Sequence, residues 1–263
     1  MKPFQFSVAG VCLTCYPQFA DTERFFFRFP VSARQTELVA QQPVLVDEAH
    51  WSEVASIWKQ RSAEAEFSEL SFSCSDALLP FDRLVIHACA LRCQDRAWLI
   101  LAPTGVGKTT QARWLHVLCP GDFSVISGDR PVLEFQPDRI VVHPSPWNGK
   151  EDWHGAQAAP LAGFILLARG PENAIRPLSD QQTAVSILGN FLSADWSEAR
   201  IHCIAGFATR LIRAVPKWLL TTCQVPDSTK LLLQTVFPFL TPHPDDPMPN
   251  PKSFPRKQDV YEV

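Results

Sequence analysis

The sequence lacks the features that mark membrane, secreted and nucleic-acid-binding proteins. No apolar run approaches the length of a membrane span, and residues 1–6 lack the long apolar region of a signal peptide. The formal net charge is −3, so there is no basic footprint for nucleic acid. We therefore expect a protein that binds neither a membrane nor nucleic acid. Its 263 residues suffice for one large domain or two.

The cysteines also lack the pattern of a disulfide framework or a zinc site. Eight are present, scattered through apolar segments, which is typical of a reducing compartment and indicates a cytoplasmic protein. Cys12 and Cys15 have C-x-x-C spacing, but no second pair follows at zinc spacing. We expect both to be small buried residues of a strand, with a metal site as the alternative.

The strongest signal that is present lies at residues 102–110, Ala-Pro-Thr-Gly-Val-Gly-Lys-Thr-Thr. Residues 99–101 end a predicted buried strand, and apolar residues recur at helical spacing over 112–118. The order of strand, glycine-rich loop and helix is that of a P-loop, whose N–H groups and helix N-terminus bind nucleotide phosphates. The alternative is a glycine-rich turn before an ordinary helix, with Lys108 merely solvated.

The P-loop prediction gives each residue of the loop a role. Lys108 would reach the β- and γ-phosphates, and the hydroxyl of Thr109 would bind Mg²⁺. Ala102 replaces the first glycine of the consensus, which is tolerated unless that position needs a positive φ. The residues expected to bind the nucleotide are Thr104, Gly105, Val106, Gly107, Lys108, Thr109 and Thr110.

An acidic residue follows the next predicted strand, residues 123–127. A carboxylate at the end of a strand in a nucleotide-binding sheet can hold Mg²⁺, directly or through water, or accept a proton from an attacking hydroxyl. Asp129 is the candidate for either role. The alternative is an aspartate that only makes a turn at the end of the strand.

Two further segments are compatible with catalysis or with structure. Residues 143–153, His-Pro-Ser-Pro-Trp-Asn-Gly-Lys-Glu-Asp-Trp, place Lys150, Glu151 and Asp152 in a stiffened loop that could present charge to a substrate. The same loop could equally be a surface loop held by tryptophan packing. His87 lies in an apolar strand, where a histidine is either a buried structural residue or a catalyst beside the P-loop strand.

The periodicity of the remaining chain predicts an α/β fold in two parts and a tail. Residues 1–76 are expected to form a smaller, mainly β region with strands at 4–15, 25–29, 43–46 and 67–74 and a helix at 48–61. Residues 77–240 are expected to form the core, with strands at 84–91, 98–101, 123–127, 132–135, 140–143 and 161–167 and helices from 108, at 180–192 and at 228–236. Residues 241–263 are proline-rich and predicted to have little fixed structure.

In this order the motifs resemble the HPr kinase/phosphorylase and phosphoenolpyruvate carboxykinase superfamily, and most of all the small HPr-kinase-related proteins of bacterial peptide-modification gene clusters. The matching segments are His-Ala-Cys at 87–89, the loop at 102–110, Ser-Gly-Asp-Arg at 127–130, Ser-Pro-Trp-Asn-Gly-Lys-Glu at 145–151 and Val-Pro-Asp-Ser at 225–228. The resemblance implies a P-loop set in a mixed β-sheet. It also implies that ATP and Mg²⁺ are used to phosphorylate a hydroxyl, often of serine, on a protein, a peptide or a small molecule.

The resemblance also implies roles for single residues. Lys108 and the loop amides would neutralise the phosphates, Thr109 and Asp129 would hold Mg²⁺, and Lys150 would stabilise charge on the transferred group. If Asp129 binds the metal, the base is expected among His87, Glu151 and Asp152. If Asp129 is the base, Thr109, water and the phosphates must hold the metal.

One departure from the family pattern leaves two functions open. Relatives often have two adjacent acidic residues where this chain has Gly128 and Asp129. A kinase is the leading interpretation, and a nucleotide-binding regulatory or scaffold protein without transfer activity is the alternative. A nucleic-acid-stimulated ATPase is disfavoured by the charge balance. The acceptor and the oligomeric state, including a homo-oligomer, are left open by the sequence.

Overall fold

The computed structural model describes residues 2–31, 38–103, 105–149, 153, 155 and 157–240. The strands are β1 (Phe4–Val8), β2 (Val11–Cys15), β3 (Leu38–Val39), β4 (Arg83–Val85), β5 (Cys89–Cys93), β6 (Arg96–Leu101), β7 (Phe123–Ser127), β8 (Val132–Phe135), β9 (Ile140–His143), β10 (Ala159–Arg169), β11 (Ala174–Pro177) and β12 (Lys217–Thr222). The helices are α1 (Glu48–Glu53), α2 (Ala63–Leu78), α3 (Lys108–Leu118), α4 (Asp180–Ile187), α5 (Glu198–Ala214) and α6 (Val225–Val236), with 3-10 helices at Ala20–Phe26, Leu79–Phe81 and Leu188–Asn190.

The main sheet is mixed and contains nine strands in the part of the chain that the structure describes. Its central path runs β4-β8-β9-β10-β6-β5-β7, and β12 pairs with both β10 and β11. β10 is parallel to β6 and to β12, whereas β5 is antiparallel to β6 and to β7. The parallel strands β6, β10 and β12 therefore end at the same edge of the sheet, which is where ligands bind in open α/β sheets.

Helices cover both faces of this sheet. Leu99 of β6 packs in one core cluster with residues of α4 and α5, including Ile187 and Phe207. Ile100 points to the opposite face, into a second cluster built with α3 and α6. The alternation of β6 side chains between two cores explains why the strand is apolar throughout and why the fold has three layers.

The N-terminal region packs on the main sheet through α2. A three-stranded sheet, ordered β1-β2-β3, and α2 enclose a third cluster, which continues into Val85, Val132 and Trp147 of the rest of the chain. Glu66 of α2 is fully buried and accepts hydrogen bonds from backbone N–H groups and a hydroxyl at the start of the Ala20–Phe26 helix. The expected division of the chain after residue 76 falls inside α2.

Several predictions for the N-terminal region are wrong. Residues 67–74 are helical, because they belong to α2, and residues 25–29 lie at the end of a 3-10 helix and in the turn after it. In the segment 43–46 Val44 makes a single bridge to Cys15, and the helix predicted at 48–61 ends at Glu53. Tertiary contacts decide these conformations, since buried aromatic side chains suit a short helix as well as a strand.

The strands and helices predicted for residues 77–240 agree better with the structure. Strands at 123–127, 132–135 and 140–143 are confirmed with the same bounds, and the helix at 108 begins there. The predicted strand 84–91 is interrupted between β4 and β5, the predicted helix at 180–192 turns into a 3-10 helix after Ile187, and the last helix begins at Val225. The predicted tail, residues 241–263, lies outside the described residues.

Cys12 and Cys15 are confirmed as buried residues of a strand, β2, and all eight cysteines are free. Among the described residues, no three or more His, Cys, Asp or Glu side chains are grouped so that they could hold a metal ion. Within the same part of the chain, no helix combines the length and the apolar character needed to cross a membrane.

A buried ion pair in the N-terminal region predicts a pH-dependent stability. The pKa of His50 is raised because His50 Nε2 hydrogen-bonds Glu69 at 2.7 Å, although burial opposes the shift. A histidine with a raised pKa stabilises the fold fully below its unfolded value of about 6.5, and this contribution is lost as pH rises through the folded value. Raising the pH from about 6 to about 8 should therefore cost the wild type on the order of 1 kcal/mol more than it costs His50→Gln.

Urea unfolding of the two proteins at both pH values measures this difference. The comparison between variants cancels the titration of the other histidines. An identical loss of unfolding free energy in wild type and His50→Gln would show that His50 has the same affinity for protons in the folded and unfolded chains.

Candidate functional site

The glycine-rich loop (residues 102–107) joins β6 to α3 at the edge where the parallel strands end. Gly105 and Gly107 have φ angles of +82° and +120°, which residues other than glycine rarely adopt. Ala102 is buried and is not among the residues with positive φ, so it fits the place of the first consensus glycine without strain. Val106 packs its side chain against the core and donates its N–H to the Pro103 carbonyl at 3.3 Å. Thr104 lies outside the described residues.

His87 reaches the site because the strand is interrupted between β4 and β5. β4 pairs with β8, whereas β5 pairs with β6 and β7, so residues 86–88 carry the chain from one part of the sheet to another. The His87 N–H donates to the Asn190 carbonyl at 2.7 Å and the Ala88 N–H donates to the Asp129 carbonyl at 2.8 Å. These bonds hold His87 between the glycine-rich loop and the end of β7.

Lys108, His87 and Asp129 meet in one group. Lys108 Nζ lies 2.9 Å from His87 Nε2 and donates to the Ala102 carbonyl at 3.1 Å. His87 Nε2 also lies 3.2 Å from Asp129 Oδ1. One ring nitrogen cannot accept from an ammonium and donate to a carboxylate at the same time, so two proton arrangements compete at His87. Such a group can hold and pass a proton beside the loop.

Burial and neighbouring charge shift the pKa of the two charged members in the same direction. Burial lowers the pKa of Lys108, although the charge of Asp129 opposes this. Burial alone would raise the pKa of Asp129, but its hydrogen bond to His87 and the charges of His87, Arg130 and Lys108 outweigh burial and lower it. Asp129 is therefore ionised at neutral pH and can attract a cation.

Helix α2 of the N-terminal region holds the residue beside Asp129. Arg130 Nη1 donates to the Ser68 carbonyl at 2.6 Å and to Ser71 Oγ at 2.5 Å, while its Nε lies 3.4 Å from Asp129 Oδ2. Phe72 of the same helix lines the cavity that contains Asp129. The N-terminal region therefore supports the site, although its sequence carries no motif that indicates this.

The first half of the loop predicted at 143–153 is structural. Ser145 Oγ donates to the Arg130 carbonyl at 2.5 Å, Trp147 Nε1 donates to the Phe67 carbonyl at 2.5 Å, and Asn148 Oδ1 accepts from the Gly128 N–H at 3.1 Å. These residues clamp the end of β7 to α2. The charged residues of the second half, Lys150, Glu151 and Asp152, lie outside the described residues.

Gly128 has no room for a side chain. A β-carbon at this position would lie 2.6 Å from the Asn148 carbonyl oxygen and 3.3 Å from the β-carbon of Trp153. The Gly128 N–H also donates to the Trp153 carbonyl at 3.2 Å. The clamp therefore occupies the space that a second carboxylate before Asp129 would need, so the glycine is a packing requirement of this chain.

Replacing Gly128 with aspartate should destabilise the protein and add no activity. The new side chain meets backbone, which cannot retract, so we expect a loss of about 1–3 kcal/mol in unfolding free energy, the usual cost of overpacking. Urea unfolding measures the loss. Gly206→Ala in α5, where a β-carbon meets nothing within 4 Å, is the matched control and should stabilise by up to about 1 kcal/mol. Unchanged stability in Gly128→Asp would show that the clamp can open.

A cavity of about 760 Å³ lies between the glycine-rich loop and the end of β7. Its polar lining comes from the glycine-rich loop and from the end of β7. Its apolar wall is formed by side chains that no sequence motif predicted to lie at the site, namely Phe72, Phe191, Leu192 and Trp196. The lining residues are Phe72, His87, Gly105, Gly107, Lys108, Thr109, Thr110, Gly128, Asp129, Arg130, Asn148, Gly149, Gly189, Phe191, Leu192 and Trp196.

The donors in this cavity fit Mg²⁺ only as a partner of phosphates. Thr109 supplies a hydroxyl and Asp129 a carboxylate, and Mg²⁺ usually combines one or two carboxylates with water and substrate phosphates. No larger cluster of metal-binding side chains exists in the described residues. The arrangement is therefore suited to a metal that arrives with its ligand and not to a metal caged by the protein.

Comparison with known proteins gives a distant structural likeness. No protein-family model and no curated protein matches the chain. Among solved structures, the HPr(Ser) kinase/phosphatase from Coxiella burnetii is similar at a TM-score of 0.34 and 14% sequence identity, over 59% of this chain and 97% of that chain. A likeness of this size assigns neither a family nor an activity.

Proposed function

We propose that this protein is an ATP- and Mg²⁺-dependent phosphotransferase of the HPr-kinase-like class, which transfers the γ-phosphoryl group to a hydroxyl. The observation that carries the proposal is the juxtaposition of Lys108, His87 and Asp129 at one end of the cavity beside the glycine-rich loop. A cation, a proton-passing histidine and a carboxylate beside an anion-binding loop are what phosphoryl transfer to a hydroxyl requires.

We propose that different residues bind the phosphates, the metal ion and the acceptor. The N–H groups of the glycine-rich loop and the N-terminus of α3 bind the phosphates, and Lys108 leaves His87 to neutralise their charge. Thr109 and Asp129 would hold Mg²⁺, which would neutralise charge on the phosphates. His87, released from Lys108, takes the proton of the attacking hydroxyl, with Asp129 as the alternative base. Lys150 and Glu151 are proposed to contact the transferred group or the acceptor.

The acceptor is proposed to be a serine hydroxyl of a peptide or protein, or a small-molecule alcohol. Incubation with ATP labelled at the γ-phosphate, Mg²⁺ and the proteins encoded next to its gene tests this directly. The expected result is label on one partner, lost when Mg²⁺ is removed with EDTA.

A second candidate, a nucleotide-binding regulatory protein, predicts another result. The closed packing at Gly128 favours it, because a second carboxylate is sterically excluded from the site. ATP binding without ADP formation in the presence of every acceptor offered would support this candidate and contradict the kinase proposal.

A further inference from the structure

The sheet register carries one more basic residue to the glycine-rich loop. β10 pairs with β6 as far as Leu166 and Leu101, where β6 ends, and then continues alongside the loop to Arg169. On its other edge β10 pairs with β12 through Arg169 and Thr222, and the Gly170 N–H donates to the Thr222 carbonyl at 3.3 Å. The backbone at Arg169 therefore belongs to the sheet and is fixed by strand pairing.

The Arg169 guanidinium lies against the loop itself. A β-carbon built on Gly107 would lie 3.7 Å from Arg169 Nη2. Gly107 directly precedes Lys108, the first residue of α3, so the guanidinium stands next to the N-terminus of that helix. Two cationic groups, Lys108 and Arg169, thus approach the loop, one from the cavity and one from the end of β10.

Arg169 has no electrostatic partner in the part of the chain that the structure describes. Its side chain is exposed, and no hydrogen bond or ion pair with another described residue holds it. By contrast, Arg130 is tied to α2 and to Asp129, and Arg92 to Asp95. A guanidinium that is placed by a strand, and that no group in the described residues ties down, is suited to a planar polyanion.

We propose that Arg169 binds the nucleotide phosphates held by the glycine-rich loop. The inference rests on the proposed nucleotide binding. Backbone N–H groups of such loops cradle the α- and β-phosphates, so a guanidinium at Gly107 contacts phosphates that ATP and ADP share. Arg169 is therefore a binding residue for both nucleotides, and it makes no contact that only the γ-phosphate provides.

Calorimetric titration of the full chain with ATP and with ADP, each with Mg²⁺, tests the proposal. Arg169→Ala should raise the Kd for both nucleotides by about tenfold or more, and Arg169→Lys should restore part of the loss because it keeps the charge. Arg176→Ala is the matched control, since Arg176 is an exposed arginine of β11 that hydrogen-bonds Gln182. It should leave both Kd values unchanged, and thermal melting should show that all three variants are folded.

The outcomes separate this inference from the proposed function. If Lys108→Met weakens nucleotide binding while Arg169→Ala binds like Arg176→Ala, Arg169 has no role at the phosphates and the inference is wrong. A loss for ATP alone, with ADP binding intact, would also contradict it. If the wild type binds no nucleotide, the proposed function fails and the inference fails with it.

Discussion

Replacing Lys108 with methionine is expected to weaken ATP binding by at least about a hundredfold, which corresponds to about 2.7 kcal/mol. Lys108 is the buried cation nearest the glycine-rich loop, and its hydrogen bonds to His87 and to the Ala102 carbonyl can be exchanged for phosphate oxygens. Hydrogen bonds between charged groups in a partly buried site are each worth about 1.5–3 kcal/mol. Methionine keeps the aliphatic volume and removes only the charge, so the fold is expected to remain intact.

Calorimetric titration with ATP and Mg²⁺ measures this loss, and urea unfolding checks the fold. Because burial lowers the pKa of Lys108, the charged form is disfavoured in the folded protein, and removal of the charge offsets the lost hydrogen bonds. Lys230→Met on the exposed surface of α6 is the control and should bind ATP like the wild type. Unchanged affinity in folded Lys108→Met would mean that the loop does not bind phosphates.

Asp129→Asn is expected to lower phosphoryl transfer by at least about a hundredfold while nucleotide binding persists. Asparagine keeps the shape of the side chain, and its carbonyl oxygen can still accept a hydrogen bond from His87. The charge that attracts Mg²⁺ and orients His87 is lost, and this charge matters more as the reaction proceeds than when ATP merely binds. The rate constant should therefore fall more than the Kd for ATP rises.

Single-turnover measurement with γ-labelled ATP and the acceptor found by labelling gives the transfer rate. Asp138→Asn, in the exposed turn between β8 and β9, removes the same charge away from the cavity and should leave the rate unchanged. Near-normal transfer in Asp129→Asn would exclude the carboxylate from metal binding and proton transfer, and would move these roles to Glu151 or Asp152.

The helices show where sequence periodicity succeeds and where it fails. α3 has a polar face and an apolar face, so its start at Lys108 follows from the pattern. α2 is buried on almost all sides, including Glu66, Glu69 and several serines. It therefore has no apolar stripe, and the pattern of its residues 67–74 resembles that of a strand. Its buried carboxylates are acceptable only because distant residues such as Thr22, His50 and Trp58 hydrogen-bond to them, and local sequence carries no record of these partners.

One missed element had a readable signal. α5 buries Ile204, Phe207, Ala208, Leu211 and Ile212, which is the helical spacing of i, i+3, i+4, i+7 and i+8. The same periodicity that predicted α3 therefore predicts α5. β12 is harder to recognise, because it is short and pairs with strands that lie far away in sequence.

Some features of the site are likewise predictable from local sequence, and others are not. The glycine-rich loop and the strand before Asp129 are local patterns, and they indicate Lys108 and Asp129 from the sequence alone. The burial of Lys108, its contact with His87, and the anchoring of Arg130 by α2 depend on chain crossings between distant segments. The steric exclusion at Gly128 likewise arises from a distant part of the sequence, because Asn148 follows Gly128 by 20 residues.

A crystal structure of the full chain with a non-hydrolysable ATP analogue and Mg²⁺ would show whether the glycine-rich loop binds nucleotide phosphates beside His87 and Asp129. We expect phosphates within hydrogen-bond distance of the Gly107 and Lys108 N–H groups, with Lys108 Nζ moved from His87 to the phosphates. We also expect the γ-phosphate to face His87 and Asp129. A nucleotide bound elsewhere, or a nucleotide in this cavity with Lys108 still paired to His87 and the Ala102 carbonyl, would show that the proposed site is wrong.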